Sequence, residues 1–229
     1  ADGIKHGAKR LLRDFKFDEI ERPVVAQLFG GDPEAFGQVA KMIVKMGFDG
    51  VDINMGCPAK KVAGRGEGAG LIKDPDLAAK IIAAVKKGAD GKIPVSVKTR
   101  VGYDQADPSW WKFLSMQDLA VVTIHGRTFK QLYEGKADWE ALAGAATLIK
   151  QSGTIFLGNG DVESISDAHE KIEKYGVDGV LIGRAAQGNP WVFRGVEVNK
   201  EEKLKVALEQ ARKFEEIFPE DRFFIMRKH

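Results

Sequence analysis

Residues 155–184 read IFLGNGDVESISDAHEKIEKYGVDGVLIGR, and this stretch decides the fold. It begins with an apolar run that is typical of a strand, Ile155–Asn159, and continues with an amphipathic segment over residues 164–175. Gly176 ends the predicted helix, and a second apolar run, Gly179–Ile182, follows it. A strand, a helix and another strand in this order predict a parallel βαβ unit.

The same alternation is repeated upstream, so that the sequence contains about six strand–helix units. The other predicted strands are Val24–Phe29, Gly50–Asn54, Val95–Thr99 and Val121–His125. Helix signals lie between them, such as Asp32-Pro33, which is typical of an N-cap followed by proline at the first helical position. Continuous βαβ alternation without a dinucleotide-binding glycine fingerprint favours a (β/α)8 TIM barrel over a doubly wound open sheet.

The chain is short for such a barrel. TIM barrels typically need about 250 residues, whereas this chain has 229 residues and does not start with methionine. We therefore predict an α/β TIM barrel that lacks its first two strands, because an open six-stranded sheet would leave a hydrophobic edge at Val24–Phe29. Residues 1–195 would form this N-terminally incomplete barrel, and residues 196–229 would begin a truncated C-terminal helical domain.

Composition excludes several other classes of protein. The chain is 44% hydrophobic and 30% charged, and it has no run approaching the roughly 20 apolar residues that a membrane span needs. The single cysteine excludes an internal disulfide framework and a cysteine-only zinc site, and it fits a reducing cytoplasm. We therefore expect a cytoplasmic globular protein with no metal ion and no membrane contact.

Polar residues and glycines recur where the predicted strands end. In chain order they are Gln27, Asn54, Cys57, Lys98, Arg100, His125, Arg127, Asn159, Gly160, Asp161, Gly183 and Arg184. In a barrel these positions converge on the C-terminal face, which carries the active site. The pattern therefore predicts a ligand site, although single residues also have structural explanations: Gln27 could hydrogen-bond inside the barrel, and His125 could be an ordinary loop residue.

Two of these features indicate the kind of ligand. Lys98 lies in a hydrophobic strand, where a buried cation is costly unless it faces an electron-rich ligand or an ion-pair partner. The turns at residues 158–161 and at Gly183-Arg184 follow the last two strands, where barrels often bind phosphate. Arg184 supplies a guanidinium that suits phosphate oxygens. Two ordinary tight turns are the alternative.

Cys57 follows a strand and precedes a basic, glycine-rich loop that contains Lys60 and Lys61. Cations near a thiol and flexible glycines favour a reactive cysteine under a lid. The alternative is a cysteine that serves as small apolar filler, next to a surface loop with solvated charges.

Several motifs, taken in order, resemble the signature of the tRNA-dihydrouridine synthase family. They are Asp52–Val62 with Gly68-Ala69, Val97–Arg100, His125–Thr128, Ala137–Trp139, Gly158–Asp161, and Ile182–Arg184 with Gly188–Trp191. The resemblance covers roughly residues 1–194. Within the family, the Lys60-Lys61 pair and residues 185–188 are most similar to the bacterial B-type branch.

This resemblance implies a flavoprotein that reduces specific uridines in tRNA to 5,6-dihydrouridine, with FMN as cofactor and NADPH as reductant. It implies hydride transfer from reduced FMN to C6 of the uracil and a proton from Cys57 to C5. By position in the motifs, the residues expected to contact FMN are Gln27, Lys98, His125, Asn159, Gly160, Asp161, Gly183 and Arg184. Those expected to contact the tRNA substrate are Asn54, Arg100, Arg127, Lys60 and Lys61.

Two other functions stay open on the sequence. An FMN-dependent dehydrogenase of a free pyrimidine or another small molecule would share Lys98 and the phosphate turns. It does not account for the basic loop beside Cys57, nor for Arg127 with Lys130. A non-catalytic RNA-binding barrel, in which the motifs are relics, is the third hypothesis.

Overall fold

The computed structural model describes residues 1–5, 12 and 15–219, and a six-stranded parallel sheet lies at its centre. The strands are β1 (Val25–Leu28), β2 (Gly50–Met55), β3 (Val95–Arg100), β4 (Val121–His125), β5 (Ile155–Asn159) and β6 (Gly179–Leu181). They lie side by side in chain order. The six predicted strands are thereby confirmed, and their ends differ from the prediction by at most one residue.

Helices connect the strands, as the βα alternation predicts. Those of eight or more residues are α1 (Pro33–Lys45), α2 (Pro75–Ala89), α3 (Pro108–Ser115), α4 (Trp139–Ile149), α5 (Ile165–Tyr175) and α6 (Lys200–Ile217). Shorter helical turns lie at Asp2–Lys5, Glu19–Glu21, Lys60–Ala63, Gly68–Lys73, Lys150–Ser152, Arg184–Ala186 and Pro190–Arg194. Because one helix of α1–α5 follows each of the first five strands, all six strands can run parallel.

Three of these helices begin with the same pair of residues. The side chains of Asp32, Asp74 and Asp107 accept hydrogen bonds from backbone N–H groups in the first turns of α1, α2 and α3. A proline follows each aspartate, at a position where the missing N–H group would have no helical partner. The predicted start of α1 at Asp32-Pro33 is confirmed.

The two faces of the sheet differ in polarity. On β2, Val51, Ile53 and Met55 are fully buried in the hydrophobic core with the helices, whereas Asp52 and Asn54 lie on the other face. The register continues that polar face across the sheet, since Asn54 pairs with Lys98, Arg100 with His125, and His125 with Asn159. The predicted site residues of neighbouring strands are therefore adjacent.

Helix α6 lies within residues 196–229, where the sequence predicts the start of a helical domain. Residues 220–229 lie outside the described part of the chain. The division into a barrel domain at residues 1–195 and a helical domain that begins at residue 196 therefore stays a prediction.

Candidate active site

A cavity of about 740 Å³ opens at the carboxyl ends of the strands. Ligand pockets usually have volumes of roughly 300–1,000 Å³, so there is room for a cofactor-sized molecule. The predicted site residues that line it are Asn54, Cys57, Lys98, Arg100, His125, Asn159, Gly160, Asp161, Gly183 and Arg184. Gln27, Lys60, Lys61 and Arg127 do not line it.

The backbone around Cys57 is held by hydrogen bonds on both sides. Oδ1 of Asn54 accepts from the N–H groups of Gly56, at 3.1 Å, and of Cys57, at 2.9 Å. The carbonyl oxygen of Cys57 accepts from the N–H of Ala69 at 3.2 Å. The half-buried Cys57 side chain lies in the cavity wall as a result.

Gly68 allows the following loop to fold back onto Cys57. Its φ is +55°, and a Cβ at this position would lie 2.9 Å from the Cβ of Cys57, so only glycine fits without a shift of the loop. The turn Gly68–Lys73 is buried over residues 68–72. This half of the glycine-rich loop is thus packed against Cys57, and the hypothesis of a flexible lid stays a prediction. Lys60 and Lys61, in the half before it, are exposed.

Gln27 and Asn54 belong to a chain of hydrogen bonds that starts at Asp52, which sequence analysis did not select as a site residue. The Asp52 carboxylate accepts from the Ser96 hydroxyl at 2.6 Å and from Nε2 of Gln27 at 2.7 Å. Oε1 of Gln27 then accepts from Nδ2 of Asn54 at 2.9 Å. Because a carboxylate only accepts, Asp52 orients both amides and directs Oδ1 of Asn54 toward Cys57. The alternation of Asp52 and Asn54 on one strand was the available signal.

Lys98 presents a poorly compensated cation to the cavity. Its ammonium donates to Oδ1 of Asn159 at 3.2 Å, and Nδ2 of Asn159 donates to the carbonyl oxygen of Leu181 at 2.9 Å. Burial lowers the pKa of Lys98, and the positive charge of Arg100 lowers this pKa further. The negative charge of Asp52 acts in the opposite direction but does not outweigh burial. Since an ammonium has three donors, Lys98 retains hydrogen-bonding capacity for an electron-rich ligand.

Arg100 joins three segments around the cavity. Its Nε donates to the carbonyl oxygen of Gly56 at 2.8 Å, and its Nη1 donates to the carbonyl oxygens of Thr128 and Leu132 at 2.9 and 2.8 Å. The residue is 2% exposed, and burial lowers the pKa of its guanidinium. The exposed ring of Tyr133, whose centroid lies 5.7 Å from Cζ of Arg100, also lines the cavity. Tyr133 was not among the predicted site residues.

His125 is a neutral imidazole. Burial, followed by the positive charges of Arg100, Lys98 and Arg127, lowers its pKa to about 3. Nη1 of Arg127 lies 3.3 Å from Nε2 of His125. A guanidinium only donates, so Nε2 is the acceptor and the ring proton is assigned to Nδ1.

Asp161 lies between two arginines. Its carboxylate accepts from Nη2 of Arg127 at 2.9 and 2.8 Å, from Nη2 of Arg184 at 2.7 Å, and from the backbone N–H of Ala137 at 2.8 Å. Burial acts to raise the pKa of Asp161, but these hydrogen bonds and the two positive charges hold it below its usual value. The preceding Gly160 has a φ of +123°, and a Cβ there would lie 2.9 Å from the His125 ring.

The described residues do not form a metal-binding cluster. Over residues 1–5, 12 and 15–219, no group of three or more His, Cys, Asp or Glu side chains could hold one. In that same part of the chain, no helix is both long enough and apolar enough to span a bilayer. The side chains that line the cavity include one thiol, a lysine, an imidazole and two guanidinium groups.

Two solved structures of enzymes share this fold. DHODH from Eimeria tenella, in complex with ferulenol, has a TM-score of 0.58 and 15% identity, over 89% of this chain and 63% of that one. Morphinone reductase has a TM-score of 0.53 and 16% identity, over 73% and 50% of the two chains. At these identities the likeness concerns the fold alone, and it confirms the predicted TIM-barrel class.

Sequence comparison identifies the family. A protein named probable tRNA-dihydrouridine synthase from Staphylococcus aureus (strain COL) is 44% identical over 181 residues, which are 77% of this chain and 54% of the relative. A protein of the same name from Rhizobium leguminosarum bv. phaseoli is 40% identical over 198 residues, which are 83% of this chain and 61% of that relative. This chain spans about half the length of the curated relatives it matches. A family model described as dihydrouridine synthase (Dus) matches residues 1–221, and the chain therefore belongs to the dihydrouridine synthase family.

Proposed function

We propose that this chain carries the active site of an enzyme that reduces uridine in tRNA to 5,6-dihydrouridine. FMN is the cofactor, NADPH the reductant and Cys57 the proton donor in this proposal. The observation that carries it is that a thiol and a cation, Cys57 and Lys98, line one cavity at the ends of the adjacent strands β2 and β3. Family membership and the names of the curated relatives support the choice of tRNA uridine as substrate.

The residues present fit FMN. The Lys98 ammonium has one neutral acceptor among the described residues and could donate to an electron-rich ring. The exposed Arg184 guanidinium, next to Gly183, suits a terminal phosphate. A Cβ added to Gly183 would have no neighbour within 4 Å, so space remains beside the backbone at this point. When bound, FMN supplies the two-electron chemistry of the reaction.

Cys57 supplies the proton that the reaction requires. Reduction of the uracil C5–C6 bond at C6 leaves enolate-like charge that is delocalised onto the C4 carbonyl. The Cys57 thiol then protonates C5, and the resulting thiolate takes a proton from solvent. NADPH would be the source of the two electrons. Proton transfer from a positioned side chain typically contributes about 10²–10⁴-fold to a rate. Lys98 and Arg100, in the same cavity wall, provide positive charge for the developing anion.

Lys60 and Lys61 extend the site toward RNA. Both are exposed on the short helix Lys60–Ala63, three and four residues beyond Cys57. The target uridine must leave its base stack, at a cost of a few kcal/mol that contacts to the backbone can offset. The binding constant falls as the salt concentration rises, and each lysine that binds a phosphate makes the slope of log K against log salt concentration steeper by about 0.9.

The deciding experiment uses the full-length protein with FMN and NADPH. Substrates are tRNA from a strain that lacks dihydrouridine and, separately, free uridine and uracil. We expect dihydrouridine in the tRNA, measured by mass spectrometry of nucleosides, and no turnover of the free compounds. Turnover of free pyrimidine alone would support the small-molecule dehydrogenase instead. Binding of tRNA by a protein that takes up no FMN would support the non-catalytic barrel.

A matched pair of variants tests the tRNA contact. We expect Lys60→Ala with Lys61→Ala to reduce the salt slope of tRNA binding by about two. Lys41→Ala with Lys45→Ala, which removes two exposed lysines from α1, serves as the control and should leave the slope unchanged. Equal slopes for the two double variants would contradict the assignment of Lys60 and Lys61.

A further inference from the structure

We propose that Arg127 is a positioning residue for a phosphate-binding arginine. In this proposal Arg127 holds Asp161, Asp161 holds the guanidinium of Arg184, and Arg127 itself touches neither cofactor nor substrate. The identification of the ligand as FMN rests on the proposed function. The assignment differs from the one that the sequence motif implies, in which Arg127 contacts the substrate.

The guanidinium of Arg127 is almost fully engaged with the protein. Its side chain is 3% exposed and is absent from the cavity wall. Nε donates to the carbonyl oxygen of Glu134 at 3.1 Å, and Nη2 donates to that of Gly135 at 2.6 Å. Nη1 faces His125, and Nη2 also donates to Asp161. Since a guanidinium has five N–H groups, almost none of its donor capacity is left for a ligand.

Arg184 is the opposite case. Its side chain is 62% exposed, it lines the cavity, and among the described residues it makes one ion pair, from Nη2 to Oδ1 of Asp161 at 2.7 Å. Its remaining N–H groups are available to a ligand. A long exposed side chain is mobile unless something orients it, and this single ion pair is the contact that does so.

The geometry of Asp161 links the two arginines. Oδ2 accepts from Arg127 and from the backbone N–H of Ala137, and Oδ1 accepts from both arginines. The carboxylate is thus fixed from the protein side by Arg127 and Ala137, and the position of Arg184 follows from it. Loss of Arg127 would release the carboxylate and, with it, the guanidinium of Arg184. This weakens binding of a phosphate but not of an uncharged ring.

The test compares FMN with riboflavin, which lacks only the phosphate. Full-length apoprotein is titrated with each flavin, and flavin fluorescence gives the two dissociation constants. In Arg127→Met we expect the preference for FMN over riboflavin to fall by about tenfold, a typical effect of one charge-assisted contact. Riboflavin affinity should stay within about twofold of the wild-type value. A general structural defect would weaken both flavins alike.

Arg22 provides the matched control. It also pairs with two carboxylates, those of Glu19 and Asp49, but it does not line the cavity. Arg22→Met should therefore leave the FMN-to-riboflavin preference unchanged. If Arg127→Met does not fold, Arg127→Lys carries the same expectation, because an ammonium cannot reproduce the forked contacts of a guanidinium.

A double-variant cycle separates positioning from direct contact. In an Arg184→Gln background, Arg127→Met should change the flavin preference by less than about twofold, because both substitutions act through the same guanidinium. Full additivity, or an unchanged preference in Arg127→Met, would overturn the inference while the proposed function stands. A wild-type protein that binds neither flavin would overturn the proposed function and this inference with it.

Discussion

Oδ1 of Asn54 accepts the backbone N–H of Cys57 at 2.9 Å and so fixes the turn that presents the thiol to the cavity. The amide of Asn54 is oriented in turn by Gln27, whose own amide is oriented by Asp52. The position of the proposed proton donor therefore depends on a buried carboxylate two side chains away.

Asn54→Leu should damage both the fold and the reaction. Two N–H groups lose their acceptor, which costs about 1–3 kcal/mol of unfolding free energy. A displacement of the thiol by about 1 Å should lower turnover on tRNA about 100-fold. Asn54→Asp keeps the acceptor oxygens and should lose less stability, as measured by urea unfolding. Wild-type turnover in Asn54→Leu would show that the turn does not position Cys57.

Gly68→Ala tests the close approach to Cys57. Alanine at a left-handed position costs roughly 1–2 kcal/mol by itself. At Gly68 the added Cβ would also meet the Cβ of Cys57, whereas at Gly66, with a φ of +77°, it would meet nothing within 4 Å. We therefore expect Gly68→Ala to be less stable than Gly66→Ala by about 1–3 kcal/mol in urea unfolding. Equal losses would refute the packing argument.

Lys98→Met should separate stability from function. The ammonium is partly buried and has one neutral acceptor among the residues that the structure describes. Burial lowers its pKa, so the charge destabilises the folded protein. Removal of the charge should raise the melting temperature of the apoprotein while FMN affinity falls by about tenfold or more. Thermal unfolding with and without FMN gives both quantities. A variant that is less stable and binds FMN normally would contradict the assignment.

His125 should make stability fall in mild acid. Its folded pKa of about 3 lies below the ordinary value of 6.5, so the unfolded chain binds the proton more tightly. The contribution of the neutral ring is complete above pH 6.5 and is lost as the pH falls toward 3. Between pH 8 and pH 5 the wild type should lose about 2 kcal/mol more unfolding free energy than His125→Gln. The difference in unfolding free energy between the two proteins at pH 8 gives the effect of the substitution itself and is subtracted. Parallel pH profiles of the unfolding free energy would contradict the expectation.

The sequence predicted the sheet well because strand signals are local. Runs rich in Val and Ile between Asp-Pro and glycine boundaries need no tertiary information, and the register of parallel strands then aligned Asn54 with Lys98 and His125 with Asn159. Because every βα unit ends on the same face, polar residues at the strand ends could be assigned to one site. Eight of these polar residues line the cavity, together with Gly160 and Gly183.

Burial inside the site could not be predicted in the same way. Arg127 lies two residues beyond His125, the last residue of β4, yet its side chain does not line the cavity and binds loop carbonyls and Asp161. Gly68 resembles a lid glycine in sequence, but tight packing on Cys57 explains it. The burial of Arg127 and the packing of Gly68 both depend on which loop covers which strand end. The spacing of residues along one segment of sequence does not contain this information.

Cys57→Ala in the full-length protein tests the central claim most directly. The variant should bind FMN like the wild type and lose at least about 100-fold in the rate of dihydrouridine formation on tRNA, the lower end of the effect of a general acid. In D₂O, wild-type product should carry solvent deuterium at C5. An unchanged rate in Cys57→Ala, with FMN bound normally, would contradict the assignment of Cys57 as the proton donor.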